Sequence, residues 1–150
     1  LIPTEISPYA LMQEEFRNEP WKLLVGCILL NQVSAKVAKP IWQKFFEMYP
    51  TAQSLHDAPT STALADMTVL FRPLGFQNRR ATRVLCMTGD FLKWDGNDPL
   101  SLYGVGKYAA DSYNMFVKGE IVPDVKDKEL RNYVEWASKY PNGQEAQHRL

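Results

Sequence analysis

Cysteine and histidine are scarce in this chain of 150 residues, which holds two of each. Cys27 and Cys86 stand far apart, as do His56 and His148, and no pair has the spacing of a metal site. That pattern argues against a zinc site, an iron–sulfur cluster and a disulfide framework. The two thiols read as buried side chains of a protein kept in a reducing compartment. Long apolar runs are missing as well: none approaches the roughly 18 residues of a membrane-spanning helix. No secretory signal is visible, but a chain opening on Leu1 is expected to be a fragment, so that absence carries little weight. Charge of one sign is also lacking. The net formal charge is +0, which counts against a strongly electrostatic binder of polyanions.

What is present describes a globular protein. Hydrophobic residues make up 45% and aromatic residues 12%, enough for a core without staples. The length fits one domain, 1–150, with two helical lobes. Charge is unevenly spread along it. Between Met67 and Gly89 lie Arg72, Arg79, Arg80 and Arg83 and no acidic residue. Such a stretch is either a solvated helix face or a local basic surface on a neutral protein.

Strand-like alternation is rare and helical spacing is common, so the fold class is all-α. Helices are expected over 8–16, 20–32, 34–49, 51–55, 61–70, 77–94 and 107–117, with a last one carrying Leu130, Tyr133, Val134 and Trp136. Pro20 suits the first turn of its helix. Pro40 should kink or break the third. Leu64, Met67 and Leu70 share one side of the fifth. Val84, Met87, Phe91 and Trp94 mark the inward face of the 77–94 helix. Asp124 or a neighbour should cap the last helix, with Asp127 as an N3 carboxylate.

The most informative stretch is Leu102-Tyr103-Gly104-Val105-Gly106-Lys107-Tyr108-Ala109-Ala110. Two glycines flank one apolar residue, and a helical pattern follows at once. An ordinary helix–helix turn would look similar. A glycine turn that opens a helix also brings backbone N–H groups close to an anion, for which a DNA phosphate is the natural candidate. The hairpin does not follow a strand, so it is no dinucleotide-binding turn. It has no Gly-Lys-Ser/Thr, so it is no P-loop.

Several separate stretches fit one family. They are Ser7-Pro8-Tyr9, Met12-Gln13-Glu14, Pro20-Trp21-Lys22-Leu23-Leu24, Leu30-Asn31 with Ser34, Arg72-Pro73-Leu74-Gly75-Phe76, Gly104-Val105-Gly106-Lys107-Tyr108, Asp111-Ser112-Tyr113, and Asp127 with Leu130, Tyr133 and Trp136. In these the chain resembles the helix-hairpin-helix (HhH-GPD) DNA glycosylases. Within them it is most similar to the catalytic domain of the methyl-CpG-binding-domain thymine DNA glycosylases, without the methyl-CpG-binding module. The resemblance implies a two-lobed helical fold with the helix-hairpin-helix at about 99–117.

The resemblance also implies roles. Cutting the C1′–N bond of a nucleotide passes through an oxocarbenium-like transition state, which a nearby carboxylate stabilises. The catalytic aspartate falls on Asp127, 21 residues after Gly106, with Asp124 as its rival. Bifunctional relatives carry a lysine where this chain has Tyr108, and a phenol cannot form an imine. Lys107 is one step away and so turned by about 100°. The expected enzyme is therefore monofunctional and leaves an intact abasic site. Gln13 and Tyr108 fall on positions that bind the flipped pyrimidine, with Met12 lining the same pocket. Phe76 falls on the wedge position, and Gln32, after Asn31, on the position that fills the vacated space. Arg79, Arg80 and Lys107 are expected at phosphates, with Gly104 and Gly106 forming the hairpin.

The implied partner is double-stranded DNA holding a mismatched or damaged base. The implied substrate is thymine, uracil or a 5-substituted uracil opposite guanine, in base excision repair in the nucleus, by a monomer that engages no membrane. No cofactor is required and no iron–sulfur cluster is expected; a monovalent cation at the hairpin is the one optional ion. Two positions depart from the thymine glycosylases. Gln32 stands where they have arginine, and Glu129, beside Lys128, stands where they have lysine. Two other classes remain open on the residues alone: a helix-hairpin-helix module that binds DNA without catalysis, and an all-α interaction domain in which the glycines are merely a turn.

Overall fold

The computed structural model describes residues 2–139; His148 and the rest of the 1–150 span lie outside the described residues. Eight α-helices follow one another among the described residues, with no strand: α1 (Met12–Glu15), α2 (Pro20–Leu30), α3 (Ala35–Met48), α4 (Ala52–Asp57), α5 (Thr60–Phe71), α6 (Gln77–Lys93), α7 (Lys107–Phe116) and α8 (Lys128–Lys139). Short 3-10 turns occupy Arg72–Leu74 and Pro99–Ser101. No helix is long and apolar enough to cross a membrane among the described residues.

Local chemistry sets most of the boundaries. Pro20 opens α2 where its missing N–H has no role to fill. The Ser34 hydroxyl accepts from the Val37 N–H at the start of α3, and Thr51 and Ser54 form a reciprocal capping box at α4. Pro40 neither breaks nor ends α3, which runs unbroken to Met48. Its exposed position lets the interrupted backbone bond be met by water.

The first helix is shorter than its pattern predicts. The Glu14 carboxylate, itself buried, accepts from the Ser7 N–H at 2.6 Å, the Ser7 hydroxyl at 2.8 Å and the Leu11 N–H at 2.7 Å. These bonds satisfy the segment without helix, and Ala10 turns through a left-handed φ of 45° before α1 begins. The fifth helix also turns differently from expectation. Ala63, Met67 and Phe71 face the core, and Leu64 and Leu70 flank them half-buried.

α2 is the central helix. Leu23, Leu24, Val25 and Leu29 are wholly buried, and α1, α3, α6 and α7 all pack on it. Each such leucine contributes about 1.5–3 kcal/mol through the area it removes from water. On one side, Trp21 meets Phe45 and Phe46 with ring centroids 6.0 and 5.6 Å apart, and Phe45 continues to Phe71. On α6, Val84 and Met87 are buried as expected, whereas Cys86 is exposed, not buried. It sits one step round the helix from Met87, on the outer face. Cys27, on α2, is buried.

Candidate functional site

The hairpin joins the Pro99–Ser101 turn to α7. Gly104 has φ 74°, a conformation that costs glycine nothing, and a Cβ there would stand 3.3 Å from the Cγ of Arg83. Gly106 is the N-cap of α7; the helix start carries no side-chain cap, and a Cβ on Gly106 would meet nothing within 4 Å. The first N–H groups of α7 have no side-chain cap, and a helix start of that kind suits an anion. The hairpin borders a cavity of about 450 Å³ whose wall also includes Cys27, Arg83, Lys107 and Tyr108. Lys107 is half-exposed, and its Nζ pairs with Asp111 at 2.9 Å.

Tyr108 belongs to a polar network between α1, α2 and α7. Gln13 donates from Nε2 to the Tyr108 hydroxyl at 2.8 Å and to the Ser112 hydroxyl at 3.1 Å. Burial pushes the Tyr108 hydroxyl above the ordinary phenol range, so it stays protonated. Cys27 lies beside them. Burial pushes its thiol up to about 12, against the pull of the Ser112 hydroxyl. Met12 and Gln13 line a smaller cleft of about 230 Å³ with Leu30 and Glu129. Met12 lies against Gly26, where a Cβ would come within 2.6 Å of its sulfur.

Asp127 stands at the head of α8. Its Oδ2 accepts from the Leu130 N–H at 3.0 Å and its carbonyl from the Arg131 N–H at 2.9 Å, so it is itself the N-cap. The sequence expectation gave the cap to Asp124 or a neighbour with Asp127 at N3; Asp127 is the cap and not the N3 residue. Asp124 is exposed and pairs with Lys126. The half-buried Asp127 borders a cavity of about 470 Å³ together with Tyr108, Gln32 and Glu129. Glu129 is exposed at its rim.

Gln32 and Phe76 sit on two neighbouring turns, after α2 and before α6. Both adopt left-handed backbone, φ 60° and φ 49°, which is uncommon for side chains of this size. Phe76 is 60% exposed, and the Arg79 guanidinium lies 5.5 Å from its ring centroid. Gln32, Phe76, Arg79, Arg80 and Arg83 border one cleft of about 240 Å³.

Arg80 overturns its expected role. It is only 3% exposed, and its guanidinium bonds to backbone carbonyls on both turns. With its donors committed inside the protein, it is no phosphate contact. Three residues named in the sequence only within longer stretches, with no role of their own, help build the site: Glu14, which fastens the chain before α1; Ser112, which shares the Gln13 amide; and Arg83, which borders both the hairpin cavity and the Phe76 cleft. The available signals were the stretches Met12-Gln13-Glu14 and Asp111-Ser112-Tyr113 and the acid-free run that holds Arg83.

The chain is similar to known DNA repair proteins. A family model described as HhH-GPD superfamily base excision DNA repair protein matches residues 25–150. The methyl-CpG-binding domain protein 4-like protein of Arabidopsis thaliana is 33% identical over 115 residues, which are 75% of this chain and 24% of that protein. A thymine/uracil-DNA glycosylase of Pyrobaculum aerophilum is 28% identical over 113 residues, 71% of this chain and 47% of that protein. The chain thus spans from about a quarter to about half of the length of these relatives. A solved structure of a thermostable thymine-DNA glycosylase shares the fold, with a TM-score of 0.63 and 24% identity over 75% of this chain and 54% of that chain. The helical architecture, the glycine hairpin and the matched span lead to one assignment: this chain belongs to the HhH-GPD superfamily of base excision DNA repair proteins.

Proposed function

We propose that this chain is the catalytic domain of a monofunctional DNA glycosylase that hydrolyses the N-glycosidic bond of thymine or uracil, or a 5-substituted uracil, opposite guanine. The observation that carries the reading is the shared cavity of Asp127 and Tyr108 beside the glycine hairpin. The hairpin N–H groups and Lys107 hold the backbone of duplex DNA, Phe76 enters the stack, and Gln32 occupies the space left by the flipped nucleotide. Asp127 then stabilises the positive charge that grows on the sugar and orients the attacking water. Tyr108 stands where a lyase would need an amine, so no imine forms and the strand stays whole.

Hydrogen-bond inventory supports the base class. Gln13 commits its Nε2 to Tyr108 and Ser112, and Oε1 is the polar atom left for a base. An acceptor suits the N3–H of thymine or uracil and repels the N3 lone pair of cytosine. A G·T or G·U pair is also weaker than a matched pair, which lowers the cost of flipping. A single domain acting as a monomer on nuclear DNA is part of this proposal.

The test is single-turnover base release from duplexes holding G·T, G·U or A·T, for wild type and Asp127→Asn, with and without alkali. Release from the mismatches alone, lost in the variant and cut only after alkali, is the expected result. Duplex binding with no release by wild type would leave a non-catalytic DNA-binding module.

A further inference from the structure

Arg80 is a buried cation facing no carboxylate within ion-pair distance among the described residues. Its guanidinium is held by carbonyls alone. On one side Nη1 donates to Ile28 at 2.9 Å and Nη2 to Asn31 at 2.9 Å. On the other, Nε donates to Gly75 at 2.8 Å and Nη2 to Leu74 at 3.3 Å. The first group is the C-terminal end of α2, where the Ile28 carbonyl also accepts a long 3.4 Å bond from the capping Asn31 N–H and the negative end of the helix favours a cation. The second is the turn that presents Phe76.

Simple adhesion between two helices needs only apolar contact, and burying a cation is costly. What the guanidinium adds is geometry, because its donors form a rigid planar fork. Gln32 follows Asn31, and Phe76 follows Gly75. Among the described non-glycine residues three have left-handed φ, and Gln32 and Phe76 are two of them. Strained backbone persists where its surroundings over-determine it.

We propose that Arg80 is a positioning residue that locks the Phe76 wedge and the Gln32 turn at a fixed separation, so that displacing a nucleotide and filling its place occur in register. The proposal rests on the glycosylase reading above. It assigns specificity of geometry, not phosphate binding, to this arginine.

The test compares wild type, Arg80→Lys, Phe76→Ala and the double variant on a G·T duplex carrying 2-aminopurine next to the mismatch. Lysine keeps the charge and loses the fork. Arg80→Lys should reduce the fluorescence rise on flipping and slow base release roughly 10- to 100-fold, with the salt dependence of duplex binding unchanged. Its effect should largely vanish in the Phe76→Ala background. Hydrogen exchange on the free protein should quicken at 31–33 and 75–77 together. Wild-type flipping and rate in Arg80→Lys, an undiminished effect without Phe76, or unchanged exchange at those two turns would each overturn the proposal. Wild type that releases no base defeats the glycosylase reading alone, since the exchange measurement needs no DNA.

Discussion

Gln13 and Tyr108, 95 positions apart, are joined by one hydrogen bond of 2.8 Å from amide nitrogen to phenol oxygen. The bond fixes which atoms of the amide face inward. Tyr108→Phe keeps the ring and removes the nearer of two acceptors, leaving the Gln13 amide held by the Ser112 hydroxyl alone. Base release should slow about tenfold, while stability falls by roughly 1 kcal/mol for one lost internal hydrogen bond. Single-turnover kinetics beside chemical denaturation separate the two effects. Unchanged kinetics would mean that the bond does not orient the base-reading group.

Asp127 has two roles that substitutions can split. As N-cap it holds the start of α8 through the Leu130 N–H. Asparagine caps a helix about as well as aspartate, whereas alanine costs about 1 kcal/mol. Asp127→Asn should therefore melt like wild type and release no base, and Asp127→Ala should lose both activity and stability. An Asn variant with normal turnover would move the catalytic carboxylate elsewhere.

The parts of this molecule legible in its sequence are those governed by near neighbours. Pro20, Ser34 and Thr51 mark helix starts through their own chemistry, and the Gly104–Gly106 spacing marks the hairpin. Arg80 was not legible, because its partner at Ile28 lies 52 positions away and a carbonyl leaves no trace in residue identity. Glu14 misled for the opposite reason. Its bonds to Ser7 and Leu11 are local, but they replace helix bonds that the apolar pattern seemed to demand. Cys86 followed the apolar prior for its residue type, while the turn of α6 put it outside.

Cys27 predicts a stability change at alkaline pH. Its thiol is pushed from 9.0 up to about 12 by burial. The raised folded value means that the folded state holds a proton the unfolded chain gives up. Stability is fully present below about pH 9 and falls as pH rises toward 12, by about 1.4 kcal/mol per unit from this group. Burial raises Tyr49, Tyr108, Tyr113 and Tyr133 as well, and tyrosines in the unfolded chain ionise near 10, so they add to the fall and the share of Cys27 is the difference between wild type and Cys27→Ala. Urea unfolding at pH 8, 9 and 10 should show stability falling, and falling less steeply in Cys27→Ala. An equal slope in the variant would remove Cys27 as its source.

Gly106 offers a way to separate hairpin folding from hairpin function. Its backbone, φ −101° and ψ −166°, is open to any residue, and a Cβ would enter empty space. Gly104 differs, with φ 74° and Arg83 close by. Gly106→Ala should melt close to wild type, because the gain of about 0.4–1 kcal/mol from a less flexible unfolded chain is offset by alanine being the poorer N-cap. Gly104→Ala should lose stability. If the free space at Gly106 is where the DNA backbone comes to rest against the first N–H groups of α7, the added methyl group intrudes there. Duplex affinity should then drop for Gly106→Ala without any fall in melting temperature. Melting curves and fluorescence anisotropy on the same preparations decide the matter: undiminished affinity would place the phosphate contact away from this helix start.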